Sequence, residues 1–310
     1  MSAPLDLLAA AGGQIDASSH GDLTLQLAAP HAAIALYTDT LELRADHPLP
    51  HGKIEGARRG EGGAAGLFIS PWTDGAPDPA RALAASYAGG RIGAQRYLPR
   101  GAYLGAQAQG ARWWFSPLDS TTIAPLANRT VLQGALGAGL YHDEARRLYL
   151  SGGLDLDDGA PAPFLRGEGH FTPTNRRVAP HLEAWGGLAA GESAVTRTRV
   201  GGLHPYGVPL AGAGWAEWWA EDYVVGRLGL SMGDPAGVPE RRSLRLAMVV
   251  DAGNVDGLGV TGLGTLLDAD WGGLFGRVHA GYLPSAVRPP GVSRLSMYLS
   301  AGWEGRLRQG

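Results

Sequence analysis

No cysteine occurs among the 310 residues, which removes a disulfide framework and any thiolate metal site. That fits the cytosol, and equally an export route on which stray thiols are a liability. Charge of one sign is not in excess either. There are 26 Lys and Arg against 29 Asp and Glu, and no basic stripe suited to nucleic acid stands out. Long hydrophobic runs are missing. The longest stretch free of formal charge, "VGGLHPYGVPLAGAGWA" at 200–216, is too rich in glycine and proline for the ~20 apolar residues of a spanning helix. The opening "MSAPLDLLAAAGG" has no basic region leading into an apolar core, so it does not read as a signal peptide. Export therefore requires a leader outside this chain. The elbow G-x-S-x-G, a Walker loop and H-E-x-x-H are all absent, so the reading is of a non-enzyme with no catalytic residue, no metal and no cofactor.

What is abundant is glycine: 49 of 310 residues, about twice the usual ~7%. The glycines follow no collagen period and fill no single linker. They sit inside alternating segments such as "LQGALGAGLY" and "LYLSGGLDLDD". Glycine weakens a strand but suits one that bends around a closed barrel. Nine tryptophans and ten tyrosines, several near the ends of these segments, fit the aromatic girdles of membrane barrels.

A strand turns alternate side chains to opposite faces. In "RLSMYLSAGWEGRL" at 294–307, one face carries Leu295, Met297, Leu299, Ala301 and Trp303. The other carries Arg294, Ser296, Tyr298, Ser300 and Glu304. The same division recurs: Leu148, Leu150 and Leu154 against Arg147, Tyr149 and Asp155; Leu165 and Phe171 against Arg166, Glu168 and His170; Leu244, Met248 and Val250 against Arg245 and Asp251. Either the apolar face packs into a soluble sandwich, or it meets lipid and the polar face lines a lumen. Three features favour lipid. Charges of both signs share the polar faces, as in a crowded lumen. The apolar faces mix Leu with Ala and Gly, which lipid tolerates. The alternation lasts about ten residues, near the ~9–11 needed to cross a bilayer at a tilt, against a soluble mode of about 5–6.

Turn-forming clusters punctuate the segments at 142–145, 157–163, 173–175, 233–240 and 284–292. The expected fold class is all-β: a transmembrane antiparallel β-barrel of about sixteen strands, within a range of about 12–16, even numbers being usual for bacterial single-chain barrels. The expected organisation is an N-terminal segment at 1–20 and the barrel at 21–310, with 47–78 the least regular part, a long loop or a plug.

Near the C-terminus the segments resemble a family. "LRLAMVVDAGNVD", followed by "GLGTLLDADWGGLFGRVHAGYLP" and "YLSAGWEGRL", is similar to the last strands of the outer-membrane protein assembly and two-partner secretion superfamily, which includes BamA, TamA, FhaC and the bacterial surface antigen barrels. There an apolar strand ends in aromatic-x-Asp-x-Gly, often with Asn next. Asp251, Gly253 and Asn254 match, with Val249 at the aromatic position. Upstream, "TRTRVGGLHPYGVPLAG" resembles the approach to a loop that folds back into the lumen. Leu203, His204, Pro205 and Tyr206 stand where that loop carries Arg-Gly-Phe/Tyr, so Tyr206 alone matches. The family's periplasmic POTRA domains find no room in this length, and Gly310 stands where the family ends in an aromatic. The resemblance spans about residues 195–310.

It implies a bacterial outer-membrane location and a part in inserting polypeptide into that membrane or moving it across. Its partners are outer-membrane lipid and a client polypeptide or a separate POTRA-bearing chain. The implied anchor of the inward loop is Asp251, reached by His204 or by Arg197 or Arg199. The alternative for Asp251 is a strand-closing role at the "GN" turn; for the two arginines it is lining a wet lumen or meeting Asp268 or Asp270. Asp155, Asp157 and Asp158 are either calcium-type oxygen ligands or a solvated turn. The implied seam strand carries Gly302, Trp303 and Leu307. Two other roles stay open: a passive outer-membrane pore or structural barrel with charged rings that set selectivity, and a soluble secreted β-barrel or sandwich that binds a ligand.

Overall fold

The computed structural model of the protein describes residues 5–15, 20–29, 32–40, 51–60, 63–70, 83–117, 127–143, 146–173, 177–190, 197–202, 208–213, 218–233, 243–284 and 294–307. Before Tyr87 it describes the backbone and its pairing alone. The strands are β1 (Leu5–Ile15), β2 (His20–Ala29), β3 (Ala32–Thr40), β4 (His51–Gly60), β5 (Gly63–Ser70), β6 (Leu83–Tyr97), β7 (Ala102–Pro117), β8 (Arg129–Asp143) and β9 (Arg146–Asp157). They continue with β10 (Ala160–Phe171), β11 (Val178–Ala189), β12 (Thr198–Val200), β13 (Trp218–Ala220), β14 (Tyr223–Gly233), β15 (Ser243–Val255), β16 (Leu258–Trp271), β17 (Leu274–Tyr282) and β18 (Leu295–Leu307).

Among the described residues, sixteen of these strands close into one antiparallel barrel, each beside its sequence neighbour, with β11 against β14 and β1 against β18. Closure leaves no unpaired sheet edge, which is what a strand structure in lipid requires. β12 and β13 pair with each other, between β11 and β14. Leu5–Ile15, set within the N-terminal segment by the sequence, lies in the barrel wall. The irregular stretch 47–78 contains β4 and β5.

The oily face of the last strand points outward. Leu295, Met297 and Leu299 are exposed, whereas Ser296, Tyr298 and Ser300 are buried. The same holds around the wall: Leu136 is 71% exposed and Leu228 64%, while Asp155, Arg227 and Asp251 are buried. Apolar outside and charged inside is the inverse of a soluble core, and identifies a transmembrane barrel. Trp271 is exposed on the outer face beside the Trp271–Leu274 turn, and Leu274 pairs with Trp303. Trp114 and Tyr282 are exposed toward the opposite end, so aromatic residues flank the apolar band on both sides.

Two-residue turns set register where they occur. Asp158–Gly159 (φ 49° and 88°) and Asp256–Gly257 (φ 47° and 83°) both hold two left-handed residues, the requirement of a type I′ hairpin whose twist matches the strands.

Candidate functional site

Between β11 and β14 the chain turns into the lumen. Val200, Val208, Leu210, Ala211 and Ala213 are all buried there. The strap folds on itself: the Gly201 amide donates to the Val208 carbonyl (2.9 Å) and the Leu210 amide to the Gly202 carbonyl (2.9 Å). Gly201 and Gly202 hold φ of 122° and 85°, a conformation that favours glycine.

One side of the strap joins an apolar cluster with Trp185, Tyr223, Val225, Val255, Val260 and Leu283. The other side, through Ala211, joins Ala247, Val249, Leu266 and Tyr298. Between the clusters the wall is cut away. A Cβ added at Gly262 would strike the Ala211 carbonyl, and one at Gly281 would strike the backbone of Ala211 and Gly212. Gly262 and Gly281 therefore form a trough on β16 and β17 in which main chain lies against main chain.

Asp251 sits at this contact, fully buried on the lumenal side of β15. Its Oδ2 accepts the Ala211 amide at 2.7 Å. Arg227, its direct cross-strand partner on β14, donates Nε to Oδ1 at 2.7 Å and Nη2 to Oδ2 at 2.9 Å. This bidentate, charge-assisted geometry is the strong form of the interaction. Arg227 Nη1 also donates to Glu183 at 3.2 Å, and its guanidinium lies 5.7 Å from the Trp185 ring centre. Glu183 meets His170 (3.1 Å) and His181 (3.4 Å), and Arg147 meets Glu168 at 3.5 Å. A polar belt thus crosses β9, β10, β11, β14 and β15. It satisfies charges that burial would otherwise make costly. Beside it a cavity of about 340 Å³ is lined by His181, Glu183, Arg245, Asp268, Arg277 and His279 among others.

The matched residues around Asp251 divide the labour. A Cβ at Gly253 would collide with the Val224 carbonyl of β14, so glycine permits the strands to approach. Asn254 Oδ1 accepts the Gly257 amide at 2.8 Å and closes the turn. Asp256 accepts the amides of Glu221 (3.0 Å) and Asp222 (2.9 Å), tying the strap's return to the same turn.

The other predicted residues fall as follows. Arg197 pairs with Glu221 at the foot of the β12–β13 hairpin rather than with Asp251. The backbone of Arg199 lies in β12. His204 and Tyr206 lie outside the described residues. Asp155 accepts Gln133 (2.7 Å), Asp157 pairs with Arg129 (3.1 Å) and Asp158 accepts the Thr130 amide (2.8 Å). Among the described residues no group of His, Asp and Glu is placed to hold a metal. At the seam, β1 and β18 are paired from Leu5↔Leu307 to Ile15↔Met297, with Gly302 opposite Ala10 and Trp303 opposite Ala9. Sequence reasoning missed Arg227. The available signal was its position on the polar face of "YVVGRLGL", alone among apolar and glycine neighbours.

No protein-family model and no curated protein sequence matches the chain. Solved structures do. CdiB from Acinetobacter baumannii superposes with a TM-score of 0.64 at 13% identity over 97% of this chain and 60% of its own. CdiB from Escherichia coli gives 0.65 at 13% over 96% and 63%. BamA from Haemophilus ducreyi lacking POTRA domains 1–3 gives 0.62 at 10% over 97% and 70%. The chain thus spans less than two thirds of the two CdiB structures. It shares the barrel fold of these structures.

Proposed function

We propose that this barrel takes part in inserting polypeptides into, or moving them across, the outer membrane of a Gram-negative bacterium. The observation that carries the reading is the inward strap held on Asp251 through the Ala211 amide, inside a barrel of the fold shared by CdiB and BamA. Asp251 positions the strap, with Gly253 and Asn254 shaping the strand and turn beside it; partners are outer-membrane lipid and a client polypeptide or a separate POTRA-bearing chain.

The working edge in this reading is the β1–β18 seam. Ala9, Ala10, Ala11, Gly12 and Gly13 face Trp303, Gly302, Ala301, Ser300 and Leu299. Alanine and glycine add little cross-strand side-chain energy to the backbone ladder, so the backbone hydrogen bonds carry most of this pairing. An opened edge offers unpaired amides and carbonyls to an incoming strand.

The chain's lack of cysteine makes the test clean. Ala10→Cys with Gly302→Cys places a reducible lock across the seam. Proteoliposomes holding the protein should speed the insertion of a small unfolded outer-membrane barrel over empty liposomes. Oxidation of the lock should abolish the gain and reduction restore it. No gain from the unlocked protein, with steady ion conductance instead, would leave the passive pore as the function.

A further inference from the structure

The lumen has two unlike walls. The strap covers the side built from β11 and β14–β17, where charges of both signs cluster. The side built from β6–β9 adds aromatic rings and amides to charges of its own, Arg91, Arg129, Asp155 and Asp157, and we propose that it is a binding track for a neutral, hydroxyl-rich chain, that is, a glycan. This inference depends on the barrel and not on polypeptide translocation.

Register places the furnishing in levels. Tyr103, Gly139 and Tyr149 share one cross-strand row, and Gln95 lies in the next, with Gly105, Gly137 and Ser151. Gln107 follows beside Gly93, Ala135 and Gly153, and then comes the row Arg91, Gln109, Gln133 and Asp155. At the far end stand Tyr87, Trp113 and Phe115, with ring centres 4.4 Å and 6.1 Å apart in turn. The outward positions of the same strands carry Ile92, Leu104, Leu132, Leu136 and Leu150, all exposed, so the alternate positions face the lumen.

The two tyrosines lie flat. A Cβ at Gly137 would meet the Tyr149 ring, and one at Gly139 the Tyr103 ring. The rings are parallel within 5° with centres 5.9 Å apart. Two glycines thus let two aromatic faces pave the wall instead of projecting across the lumen. An aromatic face is electron-rich and attracts the polarised C–H groups of a pyranose ring. Above this platform, Gln95, Gln107 and Gln109 are exposed over a floor of glycine, alanine and serine. A primary amide both donates and accepts, which matches hydroxyl groups that do the same. The amides are also aligned: Gln109 donates to Gln133 (2.9 Å), and Gln133 to Asp155 (2.7 Å). Rings at both ends with amides between them suit successive sugar units. A polypeptide is better matched by the opposite wall, where Glu183, Arg227 and Asp251 form one network of both charges.

Calorimetric titration of the full chain, refolded in lauryldimethylamine oxide, tests this. The detergent has no sugar head group. The probes are maltohexaose, cellohexaose and chitohexaose, with a neutral Gly-Ser hexapeptide for comparison. Saturable heat is expected with at least one sugar. It should shift to about tenfold higher concentration in Gln107→Ala/Gln109→Ala, the loss appropriate to two hydrogen-bonding amides. If that variant loses its heat-modifiable migration, Gln107→Ala alone should shift the midpoint about threefold. Absence of saturable heat with all three sugars, an unchanged midpoint in a folded variant, or saturation by the peptide alone would overturn the proposal.

Discussion

Replacing Asp251 with alanine removes three acceptor contacts at once. Arg227 loses both of its bonds to the carboxylate, and the Ala211 amide loses its partner. Arg227 is 6% exposed, so its charge stays in a low-dielectric site. Breaking a buried pair from one side costs about 3–5 kcal/mol. Glu183 still accepts Arg227 at 3.2 Å, which places Asp251→Ala near the lower end, about 3 kcal/mol. The orphaned amide adds a loss of about 1–3 kcal/mol that falls on the strap rather than on the wall. Urea titration in detergent reads the first loss and planar-bilayer conductance the second. The double variant Arg227→Leu/Asp251→Leu separates them. With Asp251 and Arg227 both gone and Glu183 still held by His170 and His181, at least half of the lost stability should return. Conductance should stay raised, because nothing accepts the Ala211 amide. Asp251→Asn should do the opposite, keeping an oxygen for the strap while unbalancing Arg227. Conductance returning to the wild-type level in the double variant would refute this division between wall and strap.

Gly281→Ala pushes a methyl group into the backbone of Ala211 and Gly212. Overpacking of about 1–3 kcal/mol should raise protease cleavage within 201–213 about tenfold or more while heat-modifiable migration persists. Leu228→Arg places a charge at a position 64% exposed on the lipid face and should cost about 2–4 kcal/mol in urea titrations from lipid vesicles; a neutral result would mean this face does not meet lipid. Gly253→Ala should lower barrel stability more than Asn254→Ala, since the first collides with the β14 backbone and the second removes one turn hydrogen bond worth about 1 kcal/mol. Equal effects in the same titration would contradict the roles given to them.

The face assignment was legible because its signal is period two, and lipid imposes that period on every strand. It failed where alanine and glycine dilute the contrast. In "LDLLAAAGGQI" leucine occupies both parities, so nothing in the side chains marks β1 as wall; its backbone ladders to β18 and β2 do. In β4, Lys53 and Glu55 share one parity while Arg58 takes the other, and the alternation is lost again.

The partner of Asp251 was hidden for a different reason. Register can be counted outward from a two-residue turn. From Asp256–Gly257 the count runs Val255↔Leu258 to Asp251↔Gly262, so the glycine trough opposite Asp251 was within reach of the sequence. Across β14 and β15 no such count exists, because the connection spans residues 234–242 and its length leaves register open. A one-residue slip would have turned Arg227 to lipid. The wall pair is therefore information held in tertiary register alone, and it changes what the inward strap can do. Among the described residues the strap contributes to Asp251 a single main-chain amide, while the charge is balanced between neighbouring barrel strands. A strap fastened in this way can leave without stranding an ion, which a strap bearing its own arginine cannot.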